Sequence, residues 1–228
     1  MKKKLVVLTG AGISAESGLA TFRDAGGLWE GHDVMQVASL DGWYLNPALV
    51  LEFYNMRRKA AQQAMPNAAH LGLASLEADY DVYIITQNVD DLHERAGSSK
   101  VMHLHGKLNE MRSSKDEFIC APYIQDIRLG DLAPDGSQWR PNIVWFGEAV
   151  PLMNQAASWV SEADIFVVIG TSLQVYPAAG LAFMAAPEIP KFLIDPAVEE
   201  GYNMSDFNII RTKAAEGVEK LNEHLKNA

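Results

Sequence analysis

The most regular feature of the sequence is a series of short apolar runs rich in β-branched residues. They occupy residues 5–9, 82–86, 143–145, 165–169 and 191–194, and segments with helical spacing lie between most of them. Apolar strands that alternate with helices are typical of a parallel sheet covered by helices. The pattern therefore predicts an α/β protein with one main core.

Three helices are predicted from capping residues and apolar spacing. The first begins at Asn46, a capping residue followed by Pro47, and ends near residue 65. A second follows Asn67, and a third covers residues 215–226, where apolar positions recur at helical spacing. These helices are expected to cover the sheet and to form one side of a cleft.

A weakly patterned stretch lies between residues 107 and 140. Gly130, Pro134 and Gly136 interrupt it, and its polar sequence resembles neither a strand nor a long helix. It predicts a small lobe inserted into one domain of residues 1–228. The helical segment 30–66 is expected to contribute to the cleft beside this lobe.

Composition and charge narrow the classes of partner. The chain has 228 residues, 48% of them hydrophobic, and a formal net charge of −10. Such a charge repels nucleic acid and anionic membranes and favours basic protein tails. The first apolar run has only four residues before Thr9, and no stretch approaches the roughly 20 needed to cross a membrane. A cytoplasmic protein is expected, and a monomer is favoured.

A glycine-rich turn directly follows the first predicted strand. The sequence Gly10-Ala11-Gly12-Ile13-Ser14-Ala15 satisfies the G-x-G-x-x-A pattern, in which the backbone approaches a pyrophosphate and a helix supplies oriented N–H groups. A tight structural connection is the alternative. An ordinary dehydrogenase also carries an acidic residue about 20 positions on, after a second strand. Here a glycine-containing loop spans 21–29 instead, which suggests a mobile loop over the cofactor.

Six separated segments together resemble the sirtuin family. They are GAGISAESGL at 10–19, TFRDAGGLW at 21–29, TQNVD at 86–90, HLHG at 103–106, PNIVWFGE at 141–148 and VIGTSLQVYPA at 168–178. The resemblance implies a Rossmann-type sheet with helices on both faces. It also implies one NAD molecule, used as a co-substrate in the cleft between the sheet and the small lobe.

The resemblance implies the removal of acyl groups from protein lysines, with nicotinamide, O-acyl-ADP-ribose and free lysine as products. In this reaction His105 matches the general base, since histidine alone has an ordinary pKa near working pH. Asn88 and Asp90 match residues that position nicotinamide and stabilise charge on the ribose. The structural alternatives are a core histidine and a helix cap.

The remaining site residues follow from the same resemblance. The segment 144–148 matches one that pairs with an extended substrate peptide, although core packing is the alternative. Those expected to bind NAD are Gly10, Ala11, Gly12, Ile13, Ser14, Glu16, Thr21, Phe22, Arg23, Trp29, Gln87, Asn88, Val89, Asp90, His105, Gly170, Thr171, Ser172, Asp195 and Ala214. Those expected to contact the acyl-lysine substrate are Ala25, Tyr54, Arg57, Val144, Phe146, Gly147 and Glu148.

Tyr54 and Arg57 are three residues apart on the first predicted helix, so they share one face. A Tyr-x-x-Arg pair resembles the sirtuin subgroup that accepts acidic acyl chains, where guanidinium and phenol bind a distal carboxylate. Ala25 matches the same subgroup. The alternative is an ordinary surface arginine beside Arg58. The pair predicts removal of succinyl or malonyl groups as well as acetyl groups.

Cysteine content departs from the family pattern. Most sirtuins hold a structural zinc with two Cys-x-x-Cys pairs in the small lobe, whereas this chain has only Cys120. One cysteine also excludes an internal disulfide. No structural metal is expected, and apolar packing is expected to stabilise the lobe instead. The residues expected to pack there are Phe118, Ile119, Tyr123, Ile124, Ile127, Leu129 and Leu132.

Two other functions stay open at this point. A chain with this NAD pocket could transfer ADP-ribose to protein or hydrolyse NAD. It could also be a non-catalytic module that senses NAD.

Overall fold

The computed structural model describes residues 2–21, 28–198 and 205–226. Its strands are β1 (Lys4–Thr9), β2 (Leu28–Trp29), β3 (His32–Asp33), β4 (Asp81–Thr86), β5 (Val101–His103), β6 (Gly106–Ser113), β7 (Cys120–Pro122), β8 (Trp139–Ile143), β9 (Ile165–Ile169), β10 (Lys191–Ile194) and β11 (Asn208–Ile210). Its α-helices are α1 (Val34–Val37), α2 (Leu40–Leu45), α3 (Pro47–Gln63), α4 (Ala68–Ser75), α5 (Leu92–Arg95), α6 (Met153–Ser161) and α7 (Ala214–Lys226). Short 3-10 helices cover Ala11–Ile13, Ala15–Ser17, Leu76–Ala78 and Ala178–Phe183.

The main sheet is parallel and has the strand order β11-β10-β9-β1-β4-β5. Its centre is apolar because helices cover both faces: α4 and α7 pack on one face, and α6 with the 178–183 turn on the other. From β1 the chain continues to β4 on one side and later returns to β9 on the other. The carboxyl edge of β1 is therefore the switch point where α/β sheets bind ligands. The predicted Rossmann-type fold is confirmed.

The three predicted helices form, and the two whose caps are described begin at the predicted residues. The Asn46 side chain accepts a hydrogen bond from the Leu49 amide at 3.1 Å and so caps α3. Asn67 accepts from the Ala69 amide at 2.9 Å and caps α4. These caps satisfy N–H groups that the first helical turn leaves without partners.

The small lobe contains strands that the sequence pattern did not predict. A three-stranded antiparallel sheet has the order β7-β6-β8, and its strands come from the start, the middle and the end of the weakly patterned stretch 107–140. The run 143–145 was predicted as a strand of the parallel sheet, and this was wrong. Strand β8 ends at Ile143 and pairs antiparallel with β6 instead. Arg140 and Pro141 are buried in β8, so its polar composition conceals its burial.

The predicted apolar packing of this lobe was also largely wrong. Ile127 is buried, and Ile119 and Tyr123 are partly buried. The other four side chains are exposed, with relative exposures of 89% for Phe118, 65% for Ile124, 55% for Leu129 and 61% for Leu132.

Hydrogen bonds between polar side chains take over part of the stabilisation of the lobe that was expected from apolar packing. Ser113 Oγ lies 2.6 Å from Asp135 Oδ2 and 2.7 Å from Ser137 Oγ.

Cys120 is exposed. Among the described residues no group of three or more histidine, cysteine or acidic side chains could hold a metal ion. No helix in the same residues is long and apolar enough to cross a membrane.

Two fully or nearly fully buried histidines pack edge to face beside the end of β1. The rings of His70 and His93 have centroids 4.9 Å apart, and His93 Nε2 lies 3.1 Å from Thr9 Oγ1. Burial lowers the pKa of His70 to about 4, and burial together with the neighbouring histidines lowers the pKa of His93 to about 3. Both rings are therefore neutral in the folded protein near pH 7.

This histidine pair makes folding stability depend on pH. Unfolding restores a pKa of about 6.5 to each ring, so below that value the unfolded chain binds more protons than the folded chain. From pH 6.5 down to about 4 we expect the free energy of unfolding to fall, with about two protons taken up through these groups. Urea unfolding across this range measures the slope. His70→Gln should remove about one proton from it, whereas His224→Gln at the exposed end of α7 should not; equal slopes in all three proteins would contradict this assignment.

Candidate functional site

The turns after β1 and β9 interlock at the switch point. The Gly10 amide donates to the Ile169 carbonyl at 3.0 Å, and the Gly12 amide donates to the Gly170 carbonyl at 2.8 Å. A Cβ on Gly12 would lie 2.7 Å from Gly170 Cα. Gly170 itself has a φ of +62°, and its Cβ would lie 2.5 Å from the Ile13 amide nitrogen. Glycine is therefore required by the packing of the two turns on each other.

No continuous helix follows the glycine-rich turn, contrary to the expectation from the dinucleotide pattern. Two single 3-10 turns follow instead, and Gly18 ends the second with a φ of +85°. Asn67 Nδ2 donates to the Ile13 carbonyl at 2.8 Å and to Ser17 Oγ at 2.9 Å. The first of these bonds takes up a backbone carbonyl that a continuing helix would use.

Three predicted site residues form one buried network at the ends of β1 and β4. Asn88 Nδ2 donates to Ser14 Oγ at 3.1 Å, and Ser14 Oγ donates to Asp90 Oδ2 at 3.1 Å. The other Asp90 oxygen accepts from the amide of Leu92, the first residue of α5, at 3.2 Å, although Asp91 and not Asp90 holds the N-cap position of that helix. Burial raises the pKa of Asp90, while the bonds from Leu92 and Ser14 oppose the rise.

His105 lies half-buried just after β5, with its ring held in one tautomer. Its Nδ1 atom is 3.1 Å from the Gln87 carbonyl oxygen. A carbonyl oxygen only accepts, so Nδ1 carries the hydrogen and Nε2 keeps a lone pair. Burial lowers the pKa of His105, and the bond to Gln87 only partly opposes this. Nε2 is therefore a free base at neutral pH.

Gln87 connects three strand ends at this site. Its amide nitrogen donates to the Thr9 carbonyl at 2.9 Å, and its side-chain Nε2 donates to Thr171 Oγ1 at 3.1 Å. Its carbonyl is the one that holds His105. Val89 joins the site to the lobe, because its carbonyl accepts from the Leu108 amide at 2.8 Å. Ser172 follows Thr171 in the same turn and is partly buried.

The far end of the predicted NAD site lies beside β10 and α7. Asp195 is buried at the carboxyl end of β10 and accepts from the Ala197 amide at 2.9 Å. Glu16 accepts from the Ala215 amide at 3.0 Å, so its carboxylate lies at the first turn of α7, next to buried Ala214. The structure thus brings these residues to one edge of the sheet, although contact with NAD stays a prediction.

Tyr54 and Arg57 lie together on α3, facing the lobe. Tyr54 is 1% exposed, and its hydroxyl accepts a hydrogen bond from Trp145 Nε1 at 3.0 Å. The Arg57 guanidinium lies 4.0 Å from the Trp29 ring centroid and 3.9 Å from Glu30 Oε1. Arg57 Nε is buried and bonds to none of the described residues. Among the described residues the Arg57 guanidinium thus has only weak partners for its charge, so it could bind an acidic group.

The predicted peptide-binding segment already pairs within the chain. The Phe146 amide donates to the Ala38 carbonyl at 2.9 Å, and the Phe146 carbonyl accepts from the Leu40 amide at 3.2 Å. The Val144 amide donates to the His105 carbonyl at 3.0 Å. Gly147 has a φ of +92° at the exposed end of the segment. Peptide pairing stays a prediction for the remaining backbone groups.

The Glu148 side chain makes its hydrogen bonds within the chain, mainly to arginines of the lobe. Its carboxylate accepts from Arg112 Nη2 at 2.6 Å, from Arg140 Nη1 at 2.8 Å and from the Trp145 amide at 2.8 Å. Burial would raise the pKa of Glu148, but the arginine contacts outweigh it and lower the pKa. Phe22, Arg23 and Ala25 lie outside the described residues, and Thr21 is the last described residue before them.

A family profile described as "Sir2 family" matches residues 10–177. The chain belongs to the Sir2 family. It is 54% identical over 219 residues to a protein of Helicobacter pylori named "NAD-dependent protein deacylase", covering 96% of each chain. A Bacteroides thetaiotaomicron protein of the same name is 51% identical over 229 residues, covering 98% of each.

A solved Sir2 homologue shares the fold. The structure of a mutant of that homologue in complex with ADP-ribose has a TM-score of 0.88 and 36% identity, covering 99% of this chain and 93% of that one. The polar groups of this Sir2 chain fit such a ligand: the Thr171 hydroxyl and the second N–H of the Asn88 amide can donate, and Asp195 offers a carboxylate to hydroxyl groups.

Sequence reasoning missed two residues of this Sir2 site. They are His103 and Glu94. His103 Nδ1 lies 2.9 Å from the Asn88 carbonyl oxygen, and His103 Nε2 lies 2.8 Å from Glu94 Oε1. One signal was available: His103 and His105 are two residues apart, the spacing that places side chains on one face of an extended segment.

Proposed function

We propose that this chain is an NAD-dependent protein-lysine deacylase whose acyl pocket accepts succinyl and malonyl groups as well as acetyl. One observation carries the catalytic part: His105 is held as a neutral base by the Gln87 carbonyl, next to the buried Asn88 network. The names of the similar proteins support the same activity.

NAD would be held by the turns after β1 and β9 and by Asp195. When bound, NAD supplies an activated ribose that can receive the acyl group as nicotinamide departs. His105 Nε2 accepts a proton from a bound sugar hydroxyl, because that atom carries the lone pair. The Asn88 amide can orient polar groups of a bound molecule. The Asp90 carboxylate favours positive charge nearby, and both side chains are buried from water.

The acidic-acyl part of the proposal rests on Tyr54 and Arg57. Burial raises the pKa of Tyr54 to about 12, while nearby Arg57 and Trp145 oppose the rise, so the phenol stays protonated. Its oxygen accepts from Trp145, which leaves its O–H to donate. Arg57 stays charged near neutral pH and has a buried N–H group that a ligand carboxylate could satisfy.

The proposal is tested with matched acetyl-lysine and succinyl-lysine peptides. The purified protein is incubated with NAD, and peptide mass, nicotinamide and O-acyl-ADP-ribose are followed. Loss of the acyl mass together with formation of O-acyl-ADP-ribose supports the deacylase. Modified protein or free ADP-ribose, with unchanged peptides, would instead identify an ADP-ribosyltransferase or an NAD hydrolase. NAD binding without release of nicotinamide would identify a sensor module.

Arg57→Met should separate the two acyl specificities. Losing the charge-assisted bond to a distal carboxylate costs about 2 kcal/mol, or about 30-fold in kcat/KM for the succinyl peptide. Acetyl-lysine has no such carboxylate, so its kcat/KM should change by less than about threefold. The matched control is Lys59→Met, which removes an exposed cation from the same helix. An equal loss on both peptides would contradict the acidic pocket.

A further inference from the structure

Two histidines of the segment after β4 hold two successive carbonyl groups of the site. His105 Nδ1 lies 3.1 Å from the Gln87 carbonyl oxygen, and His103 Nδ1 lies 2.9 Å from the Asn88 carbonyl oxygen. His103 is 6% exposed, so water does not compete strongly for its ring. On its far side, His103 Nε2 lies 2.8 Å from Glu94 Oε1.

Both ring nitrogens of His103 face acceptor oxygens, one from a carbonyl and one from a carboxylate. Burial would raise the pKa of Glu94, but its hydrogen bond and electrostatic interaction with His103 outweigh burial and lower it to about 2. Glu94 is therefore a carboxylate, and it holds the ring on the side opposite the Asn88 carbonyl.

Other ionisable groups also face this pair. Lys107 Nζ lies 3.6 Å from Glu94 Oε1, and it stabilises the carboxylate from β6. Asp90 from the turn after β4 favours positive charge on His103, whereas neutral His93 from α5 adds no charge near pH 7. Together these groups surround the His103–Glu94 pair, which contacts the carbonyl of Asn88.

We propose that the hydrogen-bonded His103–Glu94 pair positions Asn88 for the step that releases nicotinamide. The Asn88 backbone is held at both ends: its amide donates to Thr86 Oγ1 at 3.0 Å, and its carbonyl accepts from His103. With both ends fixed, the Asn88 side chain keeps its orientation towards Ser14. His103 touches no reacting atom in this role and is a positioning residue. The proposal rests on the proposed deacylase function.

Glu94→Gln and Glu94→Leu separate geometry from charge. In Glu94→Gln, a neutral His103 can still donate to the Asn88 carbonyl through Nδ1 and accept from the new amide at Nε2. In Glu94→Leu, the ring loses its second partner and is free to turn. We expect the kcat for exchange of labelled nicotinamide to fall about tenfold in Glu94→Leu and less than about threefold in Glu94→Gln. The KM for acyl peptide should stay unchanged, and Glu162→Gln, which neutralises an exposed carboxylate paired with Lys4, is the matched control.

The two variants should therefore differ in kcat, which a contact that only stabilises the fold would not produce. Wild-type exchange in folded Glu94→Leu, or equal losses of kcat in both variants, would overturn the proposal.

Nitrogen-15 NMR of the histidine rings tests the contact with Asn88 directly and does not depend on activity. Nδ1 of His103 should carry a hydrogen in the wild-type protein and in Glu94→Gln, because it donates to the Asn88 carbonyl. An Nδ1 atom without a hydrogen in the wild-type ring would overturn the proposal even if Glu94→Leu failed to fold. A protein that shows this N–H group but releases no nicotinamide with any acyl peptide would contradict the proposed function instead, so the two failures are distinguishable.

Discussion

His105→Asn is expected to reduce the kcat of deacylation by a factor between about 10² and 10⁴, the usual contribution of a general base. The asparagine amide can still donate to the Gln87 carbonyl, so the local backbone should keep its geometry. The variant has no basic atom in place of Nε2, and it cannot accept the hydroxyl proton. The affinity for NAD, measured by calorimetry, should change little.

The pH profile of the wild-type protein gives a second readout of the same residue. Burial lowers the pKa of His105, so the neutral base persists below the ordinary histidine value of about 6.5. The acid limb of kcat/KM should therefore lie below about pH 6.5, and His105→Asn should abolish it. His224→Asn, at the exposed end of α7, is the control. Undiminished deacylation in folded His105→Asn would assign the base to another group.

Glu148→Ala is expected to lower the free energy of unfolding by about 3–5 kcal/mol, the usual cost of leaving buried charges without a partner. Arg112 and Arg140 are 8% and 3% exposed and would both lose the carboxylate that they bind. The Trp145 amide would lose its acceptor as well. Urea unfolding measures the change.

A second glutamate next to Arg112 provides the control for this experiment. Glu117 Oε2 lies 3.7 Å from Arg112 Nη1, and its side chain is 56% exposed. Because water screens an exposed pair, Glu117→Ala should cost less than about 1 kcal/mol. Similar losses in the two variants would mean that burial of the Glu148 cluster contributes little, and the lobe would then depend on other contacts.

The four inner strands of the main sheet, β10, β9, β1 and β4, were predictable because they are largely buried on both faces, whereas the edge strands β5 and β11 were not predicted. Strand β9 was predicted with the bounds it has in the structure, since all five of its residues are apolar and buried. The small lobe was not predictable in the same way. Arg112 and Glu148 are 36 positions apart, and their contact leaves no local periodicity in the sequence. Exposed Phe118 shows the opposite error, because an apolar residue need not be buried.

The candidate site was predictable where its residues follow strand ends. Ser14, Asn88 and Asp90 lie together because the carboxyl ends of β1 and β4 meet at one edge of the sheet. The roles within the site were less accessible. The Phe146 backbone pairs with Ala38 and Leu40, so this contact depends on how the chain folds around α1 and α2. The sequence of residues 144–148 alone does not reveal it.

The interlocked turns after β1 and β9 also determine how this protein can be recombined with its relatives. Residues 10–12 and Gly170 are in backbone contact although they lie far apart in the chain. A chimera whose breakpoint falls between them joins turns from two parents, and backbones packed this closely leave no slack to absorb a mismatch in their paths. Breakpoints that keep both turns from one parent should yield the larger share of folded recombinants.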